Sequence, residues 1–159
     1  MRTSDIENIE NKCVESMRNN DIEQFQYNFN MVKHQYNTTK TSLSTFVKAC
    51  ELMILLSTDF QGYLYFLETL DYEDISNEYI MFVLKIERLM TEENTALIKE
   101  QLGKYKEWDG CIHNIIKALE NNDTKYKMEQ ISVVSKPAEH SPIQTIKDCI
   151  LFSKNFNKI

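Results

Sequence analysis

Glycine and proline are scarce in this sequence, whose 159 residues contain three glycines and two prolines. Strand-rich folds need many turn residues of these two types, so their scarcity favours helices. No apolar run is long enough to span a membrane, and the N-terminus lacks the apolar region of a secretion signal. We therefore expect a soluble, intracellular chain with a mainly all-α fold.

Paired cysteines are also missing. Cys13, Cys50, Cys111 and Cys149 are scattered without the regular spacing of a disulfide framework or a zinc site. Free cysteines within helical apolar patterns behave as small hydrophobic residues. This usage suits a reducing compartment, so the expected localisation is cytoplasmic and nuclear.

Positive charge is in deficit. The chain carries 18 lysines and arginines against 24 aspartates and glutamates, which gives a net charge of −6. Phosphate backbones are bound by clustered lysine and arginine, and the sequence has no basic stripe. We therefore expect no nucleic-acid partner, and the apolar runs predict no membrane partner either.

Residue patterns typical of catalysis are absent as well. The three histidines form no metal-ligand cluster, and Cys111 and His113 would lie on different faces of one helix. There is no glycine-rich phosphate loop. We predict a protein that is not an enzyme and has no catalytic residues, metal, cofactor or small-molecule substrate. The clustered acidic residues are predicted to be solvated helix caps: Glu68, Asp71, Asp74, Glu92 and Glu93.

The most apolar segment of the chain runs from Asp74 to Met90. Ser76 can cap its start, because a serine hydroxyl accepts a backbone N–H that the first turn leaves unpaired. From Tyr79 onward the segment is apolar on most of its circumference, which is typical of a helix buried on two sides. We expect the neighbouring helices to cover it.

Helical apolar spacing continues on both sides of this segment. Candidate caps at Asp21, Thr58 and Thr91 are separated by intervals of 37 and 33 residues, and each interval holds two predicted helices. This pattern indicates an α-solenoid of antiparallel helix pairs. The other helices are predicted over Asp5–Asn19, Asp21–Tyr36, Ser44–Leu56 and Thr58–Leu70, from Thr91 to Tyr105, and over Trp108–Leu119.

The last part of the sequence is organised differently. A β-branched stretch predicts a short strand over Ile131–Val134, and a linker follows over residues 136–140. Ser141 and Pro142 are typical of a helix start. This C-terminal helix either enters a groove or bundle of a partner or packs on its own solenoid. Its candidate protein-interaction residues are Ile143, Ile146, Ile150, Phe152 and Phe156.

A resemblance to a known family rests on a collinear set of residues. Its carriers are Asp21-Ile22-x-x-Phe25 with Tyr36, Leu55-Leu56-Ser57, Leu67-Glu68-x-Leu70-x-x-x-Asp74-Ile75, Tyr79-Ile80, Glu87 and Leu89-Met90. In order and near-constant spacing they resemble the PCI-domain family of non-ATPase subunit twelve of the 26S proteasome regulatory-particle lid, in a shortened form. The resemblance covers roughly residues 11–120 and 136–159.

The resemblance implies a non-catalytic scaffold subunit that supports lid assembly and thus ubiquitin-dependent protein degradation. It implies that the other lid subunits are contacted through the solenoid and the C-terminal helix. It also implies four segments: a helical-repeat domain (1–107), a reduced winged-helix-like region (108–135), a linker (136–140) and an assembly helix (141–159). Two alternatives stay open, namely a free-standing helical-repeat adaptor and the small PCI subunit of the signalosome.

Overall fold

A computed structural model describes residues 2–36 and 38–121, all of which belong to one compact unit. This part of the chain is all-α, as predicted, and contains no strand. Two one-turn 3-10 helices, Lys33–Gln35 and Lys106–Trp108, accompany the α-helices. The α-helices are α1 (Thr3–Arg18), α2 (Ile22–Val32), α3 (Ser44–Thr58), α4 (Phe60–Glu68), α5 (Tyr72–Ile75), α6 (Glu78–Thr91), α7 (Thr95–Lys99) and α8 (Asp109–Glu120).

The first two helices form a closely packed pair. Asp21 ends the turn between them and caps α2, because its carboxylate accepts a hydrogen bond from the Gln24 backbone N–H at 3.0 Å. One side of α2 faces the core, with Phe25, Phe29 and Val32 buried. Phe25 and Phe29 stack with ring centroids 5.8 Å apart. The predicted cap at Asp21 is confirmed.

Helix α3 lies at the centre of the packing. It contacts α1, α2, α4, α6 and α8, whereas α6 packs chiefly on α3 and α7. The sequence pattern of α6 predicted a buried helix, and its residues Ile80, Phe82, Val83 and Ile86 are buried. The cover that was expected on both sides of α6 comes mainly from α3, most of whose apolar residues are buried.

Three helix starts differ from the prediction. Asn77, and not Ser76, caps α6, since its side-chain oxygen accepts from the Tyr79 N–H at 3.0 Å. The Ser76 hydroxyl instead donates to the Tyr72 carbonyl of the short helix α5, which the sequence analysis did not predict. The repeat interval from α4 to α7 therefore holds one helix more than expected.

The other two starts are shifted in the same direction. Asp59 caps α4 by accepting from the Gly62 N–H at 3.1 Å, while the Thr58 hydroxyl bonds back to the Ile54 carbonyl inside α3. Asn94 caps α7, because α6 continues to Thr91. The prediction that Glu92 and Glu93 lie in the first turn of a helix is wrong.

Polar contacts inside the core join distant segments. The Glu10 side chain is buried and accepts a hydrogen bond from the Thr41 hydroxyl at 2.6 Å, which ties α1 to the start of α3. Lys48 and Asp74 form a nearly buried ion pair at 2.5 Å, with side-chain exposures of 12% and 4%. Asp74 was predicted to be a solvated cap, so this prediction is wrong; its carboxylate holds α5 against α3.

An aromatic cluster joins α3, α6 and the start of α8. Trp108 is fully buried, and its ring stacks at 5.5 Å against both Phe46 and Phe82. Its indole N–H donates to the Cys50 sulfur at 3.2 Å. Trp108 is the first residue of the predicted winged-helix-like region, and it lies in the same core as the helices that precede it.

Several predictions fall outside the described residues. These are the strand over Ile131–Val134, the linker over residues 136–140 and the helix over residues 141–159 with its interaction residues Ile143, Ile146, Ile150, Phe152 and Phe156. Within the described part, the predicted helical-repeat character is compatible with the packing of α1 on α2 and of α3 on α4. The four-segment division itself stays a prediction.

A candidate protein-interaction face on α4

Helix α4 is short and unusually apolar. Its Asp59 cap needs a glycine at position 62, since a β-carbon there would lie 2.5 Å from the Asp59 Oδ2 atom. The only charged side chain within the helix is that of Glu68, its last residue. Large apolar side chains fill most of the remaining positions: Phe60, Tyr63, Leu64, Tyr65, Phe66 and Leu67.

The other described residues cover α4 mainly on one side. Tyr63 is its single fully buried residue, and Phe66 packs edge-on against Phe29 of α2 at 5.8 Å. Among the helices described, α4 packs mainly on α3. The remaining large apolar side chains form what we call the α4 face: Phe60, Leu64 and Leu67, which are half-buried, and Tyr65, which is 63% exposed.

Three residues of the α4 face form a row along the helix, and Tyr65 lies apart from that row. Phe60, Leu64 and Leu67 are separated by four and three residues, so their side chains lie in one row. Tyr65 lies on the outward side, next to the polar Gln61 and Glu68. Aromatic and aliphatic side chains with few charges are the composition found at the centre of protein–protein interfaces.

The sequence around α4 contains only negative charge. Residues 49–84 include no lysine or arginine. The acidic residues of that stretch are Glu51, Asp59, Glu68, Asp71, Glu73, Asp74 and Glu78.

Only some of these carboxylates are neutralised. Lys40 pairs with Asp71 at 2.8 Å and with Glu73 at 2.7 Å, and Lys48 pairs with Asp74. Among the described residues, no ion pair involves Asp59 or Glu68, which lie at the two ends of α4. Of these two carboxylates, that of Asp59 is stabilised by the Gly62 N–H at the start of α4, whereas Glu68 at its end has no ion-pair partner among the described residues.

The sequence analysis did not predict this face. It predicted the fourth helix from the spacing of Phe60, Tyr63, Leu64, Leu67 and Leu70 and did not include Tyr65. Helical spacing alone does not say how many sides of a helix its neighbours cover. One signal was present. Six large apolar residues in nine positions exceed what a single buried stripe requires, and the helix ends on Glu68 without a basic residue in its last turn.

The buried thiols do not have the properties of catalytic nucleophiles. Burial raises the pKa of Cys13 to about 12, and burial likewise raises the pKa values of Cys50 and Cys111. A thiolate is the reactive form, so such cysteines are unreactive near neutral pH. Cys111 is buried while His113 is exposed, which confirms that the two side chains lie on different faces of α8.

The surface of the described part has clefts that are open to solvent. The first, of about 210 Å³, lies between α1 and α2. The second, of about 500 Å³, lies between α7 and α8 and includes His113, whose Nδ1 atom is 2.7 Å from the Asp109 carbonyl oxygen. The first is lined by Lys12, Glu15, Ser16, Asn19, Asp21, Gln24 and Asn28, and the second by Lys99, Leu102, His113, Asn114, Ile116, Lys117 and Glu120.

Neither a metal site nor a membrane span is found across residues 2–36 and 38–121. No group of three or more histidine, cysteine, aspartate or glutamate side chains in this part is arranged to hold a metal ion. No helix within it has both the length and the apolar character needed to cross a membrane. The chain matches no protein-family model, and comparisons with curated proteins and with solved structures gave no match.

Proposed function

We propose that the chain is a non-catalytic scaffold that binds other proteins through apolar helix faces. The observation that carries this proposal lies on α4, where Tyr65 is 63% exposed and Phe60, Leu64 and Leu67 pack against the described core but are only partly covered by it. An exposed apolar surface with a polar rim is typical of a protein-binding site. The raised pKa values of the buried thiols support a non-catalytic role.

A narrower proposal is that this scaffold is a subunit of the proteasome regulatory-particle lid, which acts in lid assembly and so in ubiquitin-dependent degradation. Its support is the collinear resemblance, together with the all-α fold. Many residues that carry the resemblance are core residues, among them Phe25, Tyr36, Leu56 and Ile80. The resemblance therefore bears first on how the helices pack, and the identity of the partners needs a direct experiment.

The experiment is an affinity purification of the tagged full chain from its own cells, followed by mass spectrometry. Two variants receive the same substitution, Tyr65→Asp on the α4 face and Tyr72→Asp on α5, where the side chain is 84% exposed. Both positions are open to solvent, so both variants should fold, which thermal unfolding checks. We expect Tyr65→Asp to lose partner proteins that Tyr72→Asp retains.

The identity of the recovered proteins decides the narrower proposal. Lid and ATPase-ring subunits support it, and a chain that lacks residues 141–159 tests whether the predicted C-terminal helix is needed for their recovery. Signalosome subunits would favour the related PCI assembly, and a single unrelated partner would favour a free-standing adaptor. Identical recovery with Tyr65→Asp and the unchanged chain would contradict a binding role for the α4 face.

A further inference from the structure

The side chain of Lys104 lies over two aromatic rings. Its Nζ atom is 4.9 Å from the centre of the Phe82 ring and 5.7 Å from the centre of the Tyr105 ring. Both distances lie within the range of about 6 Å over which an ammonium group is attracted to the face of an aromatic ring. Lys104 is itself exposed, so the contact is made where solvent has access.

The two rings form a corner. The centroids of Phe82 and Tyr105 are 4.9 Å apart and the ring planes are inclined at 73°, so a cation placed over both rings meets two aromatic surfaces at once. We call this pair of rings the aromatic corner. Phe82 is only 3% exposed and forms its base, whereas Tyr105 is half-buried and forms its outer wall.

The core of the fold holds the aromatic corner in place. The fully buried Trp108 ring lies 5.5 Å from the Phe82 ring and 4.6 Å from the Tyr105 ring. Tyr79 packs edge-on against Tyr105 at 5.6 Å. Rings that neighbouring side chains already position lose little freedom when a ligand binds, so the site is preorganised.

A negative charge lies beside the aromatic corner. Burial raises the pKa of Tyr105, and the carboxylate of Glu78 raises it further. Glu78 is exposed at the start of α6, so its charge is accessible to a ligand. Two aromatic rings beside a carboxylate favour a cationic ligand over a neutral or anionic one.

The present occupant indicates the form of the ligand. Lys104 shows that an ammonium at the end of a four-carbon side chain reaches both rings. A primary ammonium is strongly hydrated, so its attraction to aromatic rings at an exposed site is weak. Trimethylation keeps the charge, lowers the cost of dehydration and adds methyl groups that pack on the rings.

We propose that the aromatic corner binds a trimethylated lysine of a partner peptide, and that Lys104 occupies the site until this group displaces it. Lys104 is therefore an internal competitor for the site. The proposal goes beyond the scaffold function, because it involves neither the α4 face nor any lid subunit. Choline carries the same trimethylammonium group without the lysine side chain, so the experiment compares the two sources.

Two short synthetic peptides test the proposal. They are identical except that their one lysine is unmodified in the first and trimethylated in the second. Binding to the full chain is followed by the fluorescence of Trp108, the single tryptophan, and by calorimetry. We expect the trimethylated peptide to bind about tenfold more tightly than the unmodified one.

A matched pair of variants tests the outer wall of the aromatic corner. Tyr105→Leu keeps an apolar side chain but removes the ring, so it should weaken binding of the trimethylated peptide about tenfold. Tyr72→Leu makes the same change at a side chain that is 84% exposed on α5, and it should leave binding unchanged. Thermal unfolding checks that both variants fold.

Charge variants at exposed positions test the site without disturbing the core. Lys104→Gln removes the competitor and should tighten binding of the trimethylated peptide about twofold to fivefold, whereas Lys106→Gln should not. Glu78→Gln should weaken binding, whereas Glu100→Gln should not. These four variants decide the proposal even if Tyr105→Leu does not fold.

Several results would overturn the proposal. The first is equal binding of the two peptides, or binding of neither. The second is binding of the trimethylated peptide that Lys104→Gln and Glu78→Gln leave unchanged. The third is binding of choline as tight as that of the trimethylated peptide, or capture of the chain by phosphatidylcholine vesicles, because the ligand would then be choline or a lipid headgroup. Each of these results leaves the scaffold proposal standing, since that proposal depends on Tyr65 and the α4 face.

Discussion

At the scale of single residues, Glu51 is the side chain with the clearest conflict between burial and charge. It lies on α3, and its Oε2 atom is buried without a hydrogen-bond partner among the described residues. Burial raises its pKa to about 7, and the positive charge of Lys33 offsets only part of this effect. The apolar spacing of α3 predicted a helix there, but spacing alone does not show that the Glu51 carboxylate is partly buried.

A raised carboxyl pKa makes stability depend on pH in a definite direction. Below the ordinary pKa of 4.5, Glu51 is protonated in both the folded and the unfolded state, so it does not lower the free energy of unfolding. Between that value and about 7 the unfolded state releases the proton while the folded state retains it, so the free energy of unfolding falls as pH rises. Above about pH 7, Glu51 is ionised in both states and the free energy of unfolding falls no further on its account.

We expect Glu51→Gln to raise the free energy of unfolding by about 1–3 kcal/mol at about pH 8 and to change it little at about pH 4. Denaturant titrations at both pH values, followed by the fluorescence of Trp108, measure the difference. Glu100→Gln is the control, because Glu100 is exposed and carries the same chemical change. An equal effect of Glu51→Gln at both pH values would contradict the assignment of a buried ionised carboxyl.

At the scale of helices, apolar spacing predicted where helices occur, and the local competition among caps decided where they begin. The sequence offers neighbouring candidates at three starts, and the predicted Thr58, Ser76 and Thr91 are not the caps. The residues that cap are Asp59, Asn77 and Asn94. In each case the actual cap is an aspartate or asparagine. The hydroxyl of the predicted threonine or serine instead donates a hydrogen bond to the carbonyl four residues earlier.

The start of α6 provides a direct test of this competition. Replacing the cap with Asn77→Ala removes the acceptor for the Tyr79 N–H and should lower the free energy of unfolding by about 1 kcal/mol. Ser76→Ala, one residue earlier, removes only an exposed hydroxyl that bonds to the Tyr72 carbonyl and should cost much less. Denaturant unfolding of the two variants compares them, and equal costs would mean that the two side chains share the capping role.

At the scale of the whole molecule, the sequence predicted the all-α class, the burial of α6 and the behaviour of free cysteines as small hydrophobic residues, and Cys13, Cys50 and Cys111 are indeed buried. The central position of α3 and the open side of α4 depend on contacts between helices that are distant in sequence. Single-helix periodicity contains no information about those contacts. The α4 face therefore emerged only from the folded arrangement, although the apolar composition of this helix and the absence of lysine and arginine from residues 49–84 were visible in the sequence.

The position of Trp108 leads to a prediction about the cooperativity of the fold. Its ring joins Phe46 of α3 to Phe82 of α6, and it lies beside the start of α8, so helices on either side of residue 107 share one core. Trp108→Ala should lower the free energy of unfolding by about 3–5 kcal/mol, since it removes the largest buried side chain and leaves a cavity. Tyr72→Ala, at a side chain that is 84% exposed, should change it little.

Native-state hydrogen exchange distinguishes a shared core from two independent ones. If the core is shared, the amides of α3, α6 and α8 should lose protection together in Trp108→Ala, because removal of the ring weakens all three helices. A loss confined to residues 106–121 would instead mean that α8 opens as a separate unit, as the predicted domain boundary after residue 107 implies. The contacts of Trp108 with both Phe46 and Phe82 favour the common loss, because a side chain that bridges two helices cannot be removed without loosening each.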